Sequence, residues 1–176
     1  MKVVYSEEQI REVVVRLAEA INLDFAGQHV HLIGVLKGSF LFLADLVRHL
    51  RVPCSVDFVR LSSYGAGTSS SGSVRELLSL SDPVAGRHVI VVEEIVDSGR
   101  TLAKLLKDLE AADAASVRVC ALVDKTGRRE AEVPVHYRGF GLESGFLVGY
   151  GLDLDERYRN LPAICLAEEL SAEEEA

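Results

Sequence analysis

The alternation of apolar and polar residues changes period several times along the chain, and each change marks an element. Ser6-Glu7-Glu8-Gln9 has the spacing of a capping box, and Ile10, Val13, Val14, Leu17 and Ile21 then recur on one side of a helical repeat, predicting a first helix. Residues 29–36 read as a strand, 40–50 as a helix, and 54–61, after Pro53, as a second strand. Residues 62–73, SSYGAGTSSSGS, have no period and are rich in Gly and Ser, so a long mobile loop is expected there, before strand character returns at 74–80. Residues 89–92 form a continuous apolar run, as in a strand covered on both faces, and Leu102, Leu105, Leu106 and Leu109 give the following segment one helical stripe. Another buried strand is expected at 117–123, with shorter ones at 135–142, 145–150 and 163–167. This order predicts an α/β fold around a largely parallel sheet, in a single domain over residues 1–176 without internal repeats.

Composition narrows the class. A chain of 176 residues buries roughly 70% of the surface its unfolded form exposes, so it needs no disulfide or metal staple. With 48% hydrophobic and 26% charged residues it is an ordinary globular chain. A net charge of −8 argues against a nucleic-acid surface, which needs clustered Lys and Arg. Much of that charge is a solvated tail, because Glu168, Glu169, Glu173, Glu174 and Glu175 have no basic residue among them. Cys54, Cys120 and Cys165 are odd in number and far apart, which predicts reduced thiols and a cytoplasmic setting. The N-terminus lacks a leader pattern, and no segment approaches about 18 consecutive apolar residues, so no membrane partner is expected.

The chemistry concentrates at VIVVEEIVDSGRTLAKLL, residues 89–106. In open α/β sheets ligands gather at the carboxyl ends of strands, where a helix N-terminus offers unpaired N–H groups. Ser98, Gly99, Arg100 and Thr101 supply backbone donors and two hydroxyls suited to one phosphate group. Glu93, Glu94 and Asp97 would repel that phosphate, so they must face another part of the same ligand, such as sugar hydroxyls, a metal or a titrating nitrogen. A phosphorylated sugar satisfies both halves. Lys37-Gly38-Ser39, between a strand and a helix, repeats the anion-binding logic. The glycine spacing in residues 67–72 resembles a P-loop, but Ser73 stands where Lys is required, and no GxGxxG occurs.

VVEEIVDSGRTL closely resembles the phosphoribosyl-diphosphate signature of the type I phosphoribosyltransferases. GVLKGSF at 34–40, RLSSYG at 60–65, LVDKTGRR at 122–129 and FLVGYGLDLDERYRNLP at 146–162 resemble, in the family's order, further segments of its bacterial-type hypoxanthine-guanine phosphoribosyltransferases. The resemblance implies the type I fold with a small hood region and a mobile loop at about 62–75. It implies purine salvage, the transfer of 5-phosphoribosyl from phosphoribosyl diphosphate to N9 of hypoxanthine or guanine, with Mg²⁺, in a homo-oligomer (dimer or tetramer). It places Asp97 as the acid/base at purine N7, Glu93 and Glu94 at the ribose hydroxyls directly or through Mg²⁺, and Ser98–Thr101 at the 5′-phosphate. It assigns Lys37, Gly38, Ser39 and Arg159 to diphosphate, Ser63 and Tyr64 to a lid, and Lys125 to the purine O6. Phe146 would stack on the base, the Leu147 backbone would read its edge, and Asp153 would ligate Mg²⁺, with Asp155, Glu156 and Arg157 as plain surface. Three positions depart from the family pattern: Glu94 for the usual Asp, Ser98 for the common Thr, and Thr126-Gly127 after the purine lysine.

Two other classes fit less well. A nucleotide-sensing regulator on this fold would need a basic face or an added DNA-binding domain. A phosphohydrolase built on Asp153-x-Asp155 would need that pair near the N-terminus and a Thr where Arg157 stands.

Overall fold

The computed structural model describes residues 1–63, 74–78 and 80–167. Its elements are β1 (Lys2–Tyr5), α1 (Glu7–Asp24), β2 (Val30–Leu36), α2 (Phe40–His49), β3 (Cys54–Ser63), β4 (Val74–Leu78), β5 (His88–Val96), α3 (Arg100–Ala111), β6 (Ser116–Lys125), β7 (Tyr137–Leu142), β8 (Leu147–Val148) and β9 (Ile164–Leu166). The predicted capping box closes α1: Ser6 Oγ accepts from Gln9 N, and the Gln9 side chain accepts from Ser6 N. The span expected as a mobile loop falls largely outside the described residues.

The main sheet runs β4-β3-β2-β5-β6-β7, with β4 antiparallel to its neighbour and the other five strands parallel. Period-2 alternation on β5 sends Ile90 and Val92 to one core with Ile10, Leu17, Phe42 and Leu46 of α1 and α2. Val89 and Val91 go to the opposite core with Leu102, Leu105 and Leu109 of α3. A strand buried on both faces has no polar positions to alternate, which is why residues 89–92 read as unbroken apolar sequence.

Chain order reverses between β2 and β5, since β2 leads outward to β3 while β5 leads the other way to β6. That reversal opens a crevice at the carboxyl ends of β2 and β5. A second, three-stranded antiparallel sheet, β1-β9-β8, joins the two ends of the chain and forms the small hood. The hood packs closely on the main sheet: a Cβ on Gly151 would lie 2.0 Å from Gly38 O, so neither turn could approach the other with a side chain at that position.

Among the differences from expectation, the strand expected at 145–150 shortens to Leu147–Val148, β3 runs on to Ser63, and two more concern β1 and β5. β1 carried no local signal, because it pairs with residues at the other end of the chain and its side chains are largely exposed. β5 does not stop before its glutamates but continues to Val96, held by pairing with β6 as far as Val96↔Asp124. Cys120 and Cys165 are buried free thiols, and Cys54 is a half-buried one.

Candidate active site

The crevice is built from three strand ends and the hood. Beyond β2, a cis Leu36–Lys37 peptide leads into Lys37-Gly38-Ser39. Ser39 is buried and its hydroxyl donates to Val35 O at 2.7 Å, so this residue offers only backbone to a ligand. A Cβ on Gly38 would fall 1.9 Å from Glu94 Oε1, which seats the turn directly on that carboxylate.

Glu93, Glu94, Asp97, Ser98, Gly99 and Thr101 line one cavity of ≈ 360 Å³. Gly99 caps α3 with φ +80, a left-handed conformation that suits glycine, and no side chain caps the helix. The first-turn N–H groups therefore face the cavity without an intrahelical partner. Arg100 turns its side chain away to Glu130 at 2.5 Å, and its backbone N–H points back into the loop, reaching Ser98 Oγ at 3.5 Å. A slightly larger cavity of ≈ 390 Å³, between α1, α2 and residues 160–162, gathers no comparable set of groups, so size alone does not select the site.

Burial, reinforced by the neighbouring Glu94 charge, pushes the Glu93 carboxyl well above the usual carboxylate range. Glu94 is pushed up to about 7, again chiefly by burial, with Arg159 pulling the other way and Asp153 adding to the rise. Glu94 Oε2 and Asp97 Oδ1 are buried acceptors without a protein partner among the described residues. Such atoms call for a ligand, an ion or water.

At the end of β6 the Lys125 side chain is buried, 5% exposed, and its Nζ lies 3.3 Å from Asp97 Oδ2. From the hood, Arg159 donates to Gly151 O at 2.7 Å and pairs with Asp153 at 2.8 Å and Glu156 at 3.2 Å. Glu156 also accepts from Lys37 Nζ at 2.7 Å. Those two cations hold the Glu156 carboxyl below its usual range, the Lys37 hydrogen bond first. The expectation that Glu156 is plain surface is therefore corrected: it bridges Lys37 and Arg159. Its only sequence signal was the three-residue spacing to Arg159. Phe146 is a half-exposed ring beside β8, and the Leu147 side chain is buried. Ser63 ends β3, and its side chain and Tyr64 lie outside the described residues.

Among the described residues no three His, Cys or acidic groups gather closely enough to enclose an ion. Mg²⁺ needs no such cage, since one or two carboxylates plus substrate phosphates and water complete its shell. Asp153 and the orphaned Glu94 oxygen, both oxygen donors close enough to influence each other's charge, fit that arrangement.

Residues 3–155 match the phosphoribosyl transferase domain family. The hypoxanthine phosphoribosyltransferase of Salmonella typhimurium is 40% identical over 93% of each chain. The hypoxanthine-guanine phosphoribosyltransferase of Mycobacterium bovis is 45% identical over 92% of this chain and 83% of its own. Among solved structures, a Bacillus anthracis hypoxanthine-guanine phosphoribosyltransferase superposes with TM-score 0.88 at 41% identity, covering 94% of this chain and 97% of that one. With its parallel sheet, hood and strand-end loops, the chain has the type I phosphoribosyltransferase fold and belongs to the phosphoribosyl transferase family, alongside the hypoxanthine and hypoxanthine-guanine enzymes.

Proposed function

We propose that this protein transfers the 5-phosphoribosyl group of phosphoribosyl diphosphate to N9 of hypoxanthine or guanine, releasing diphosphate and the nucleoside 5′-monophosphate. One observation carries the reading: buried Lys125 lies 3.3 Å from Asp97, whose second oxygen has no partner, and Asp97 lines the same cavity as the α3 N-terminus. On one edge, a 6-oxopurine base protonated at N7 presents an N7–H donor beside the O6 acceptor, which matches a carboxylate next to an ammonium. Lys125 donates to O6. The base binds with its proton on N7, and as N9 bonds to C1′ and the C1′–O bond to diphosphate breaks, Asp97 takes the N7 proton.

Ser98, Gly99, Arg100 and Thr101 hold the 5′-phosphate on the α3 N-terminus. Lys37 and Arg159, with the backbone of Gly38 and Ser39, hold the departing diphosphate. Glu93 and Glu94 position the ribose diol; their raised affinity for protons marks them as groups awaiting compensating positive charge. Asp153, Glu93 and Glu94 would hold a Mg²⁺ ion, whose charge when bound neutralises the diphosphate. Phe146 stacks on the base and the Leu147 backbone reads its edge. Ser63 and Tyr64 belong to the segment that excludes water, so that the base rather than water captures C1′.

Diphosphate release from phosphoribosyl diphosphate, measured with hypoxanthine, guanine, xanthine and adenine, tests the reading. Release is expected with hypoxanthine and guanine, not with adenine, and is expected to stop in excess chelator and resume with Mg²⁺. Release without any base, or undiminished in chelator, contradicts it.

A further inference from the structure

Asp124 and Arg129 lie behind the pair that meets the base, and neither lines the 360 Å³ cavity. The Asp124 side chain, 9% exposed, takes a bond from Arg129 Nη2 on one oxygen and is reached by Arg138 Nε at 3.1 Å on the other. Arg138 alone already gives this buried carboxylate a cationic partner. Arg129 does more: its Nη2 also donates to Lys125 O at 3.1 Å and reaches Val96 O at 3.5 Å. Val96 immediately precedes Asp97, and it stands opposite Asp124 where β5 and β6 run side by side. One guanidinium thus spans the carboxyl ends of two strands, one leading into Asp97 and the other ending at Lys125. The same side chain supports the phosphate loop, since a Cβ on Gly99 would lie 3.2 Å from Arg129 Cδ. The next two residues, Glu130 and Ala131, donate to Ser98 O at 2.9 and 3.0 Å.

We propose that Arg129 is a positioning residue for base recognition: by tying Val96 O, Lys125 O and the Asp124 carboxylate together it sets the separation of Asp97 and Lys125, and so matches the pair to N7 and O6 of one purine. This rests on the proposed function. The geometry suits Arg and not Lys, because all three acceptors meet at the terminal nitrogen Nη2, which lies one bond farther from the backbone than a lysine Nζ reaches and is held in place by the rigid guanidinium plane. Lys at this position would still neutralise Asp124 but would release the strand ends.

The test is a mutant cycle with R129K, R129Q, K125M and R129Q/K125M, reading kcat and KM for hypoxanthine and for phosphoribosyl diphosphate alongside thermal melting. R129Q is expected to lower kcat/KM for hypoxanthine by about 10-fold or more while KM for phosphoribosyl diphosphate stays within about 3-fold. R129K is expected to retain the wild-type melting temperature and still lose the base effect, so the proposal stays testable if R129Q folds poorly. In the K125M background R129Q is expected to cost no more than about 2-fold further, since the pair it positions is already broken. Wild-type base kinetics in R129K, or an undiminished R129Q effect in the K125M background, overturns the proposal. A wild-type protein without hypoxanthine-dependent diphosphate release overturns the functional reading itself, which separates the two failures.

Discussion

Replacing Lys125 by methionine keeps the length and bulk of a buried side chain while deleting its donor. The Lys125 side chain is 5% exposed and its ammonium stands 3.3 Å from Asp97, so little water can replace it at the purine O6. Loss of a hydrogen bond from a charged donor at such a site costs about 1.5–3 kcal/mol. At 1.36 kcal/mol per decade this lowers kcat/KM for hypoxanthine by about 10- to 150-fold. Adenine has an amino donor at the corresponding position, so it loses no bond in the variant and is relieved of a donor facing a donor. The hypoxanthine-to-adenine ratio should therefore shrink by at least the same factor. KM for phosphoribosyl diphosphate, governed by other residues, should stay within about 3-fold. Asp97 is 40% exposed and remains hydrated without its partner, so the stability change should be about 1 kcal/mol or less. The assay is diphosphate release with each base across a concentration series. An unchanged base ratio in K125M would refute the argument that this ammonium reads O6.

Three further outcomes follow from other parts of the site and core. Asp97→Asn should lower kcat by about 10²–10⁴-fold with phosphoribosyl diphosphate affinity nearly constant, and full activity would remove Asp97 from proton transfer. Glu156→Gln frees Lys37 and Arg159 from a competing anion, so KM for phosphoribosyl diphosphate should fall by about 2- to 5-fold; a rise would show that Glu156 organises the cations rather than competing for them. Buried His31 bonds Ser55 Oγ through Nδ1 at 2.8 Å, while its Nε2 has no partner among the described residues. Burial, then the Arg87 charge, lowers its pKa below the ordinary 6.5. The unfolded chain takes up that proton first, so His31's contribution to stability is present above about pH 6.5 and is lost as pH falls through the lower folded value. Denaturant titrations at about pH 7.5 and about pH 5.5 should show a smaller loss on acidification in H31Q than in wild type, and equal losses would exclude His31 as the source.

Much of this architecture was legible because its signals are local. The capping box of α1, the doubly buried run of β5 and the leucine stripe of α3 each follow from a short period that burial enforces. The loop chemistry was equally local, since Lys37-Gly38-Ser39 and Asp97–Thr101 each sit at one strand-to-helix turn. What escaped depends on distant partners. β1 exists only because Ile164–Leu166 runs beside it, and Glu156 acquires meaning only where the hood brings it between Lys37 and Arg159. Nothing local singles out Arg129, because the carbonyls it joins belong to two different strands.

The proposed reaction makes a bond between N9 of a 6-oxopurine and C1′ of the sugar as diphosphate leaves. Chromatographic separation of the products formed from phosphoribosyl diphosphate, hypoxanthine and Mg²⁺ tests it most directly. Inosine 5′-monophosphate and diphosphate are expected in equal amounts, with neither formed when hypoxanthine is omitted. Ribose 5-phosphate as the main sugar product, at a rate indifferent to hypoxanthine, would contradict it.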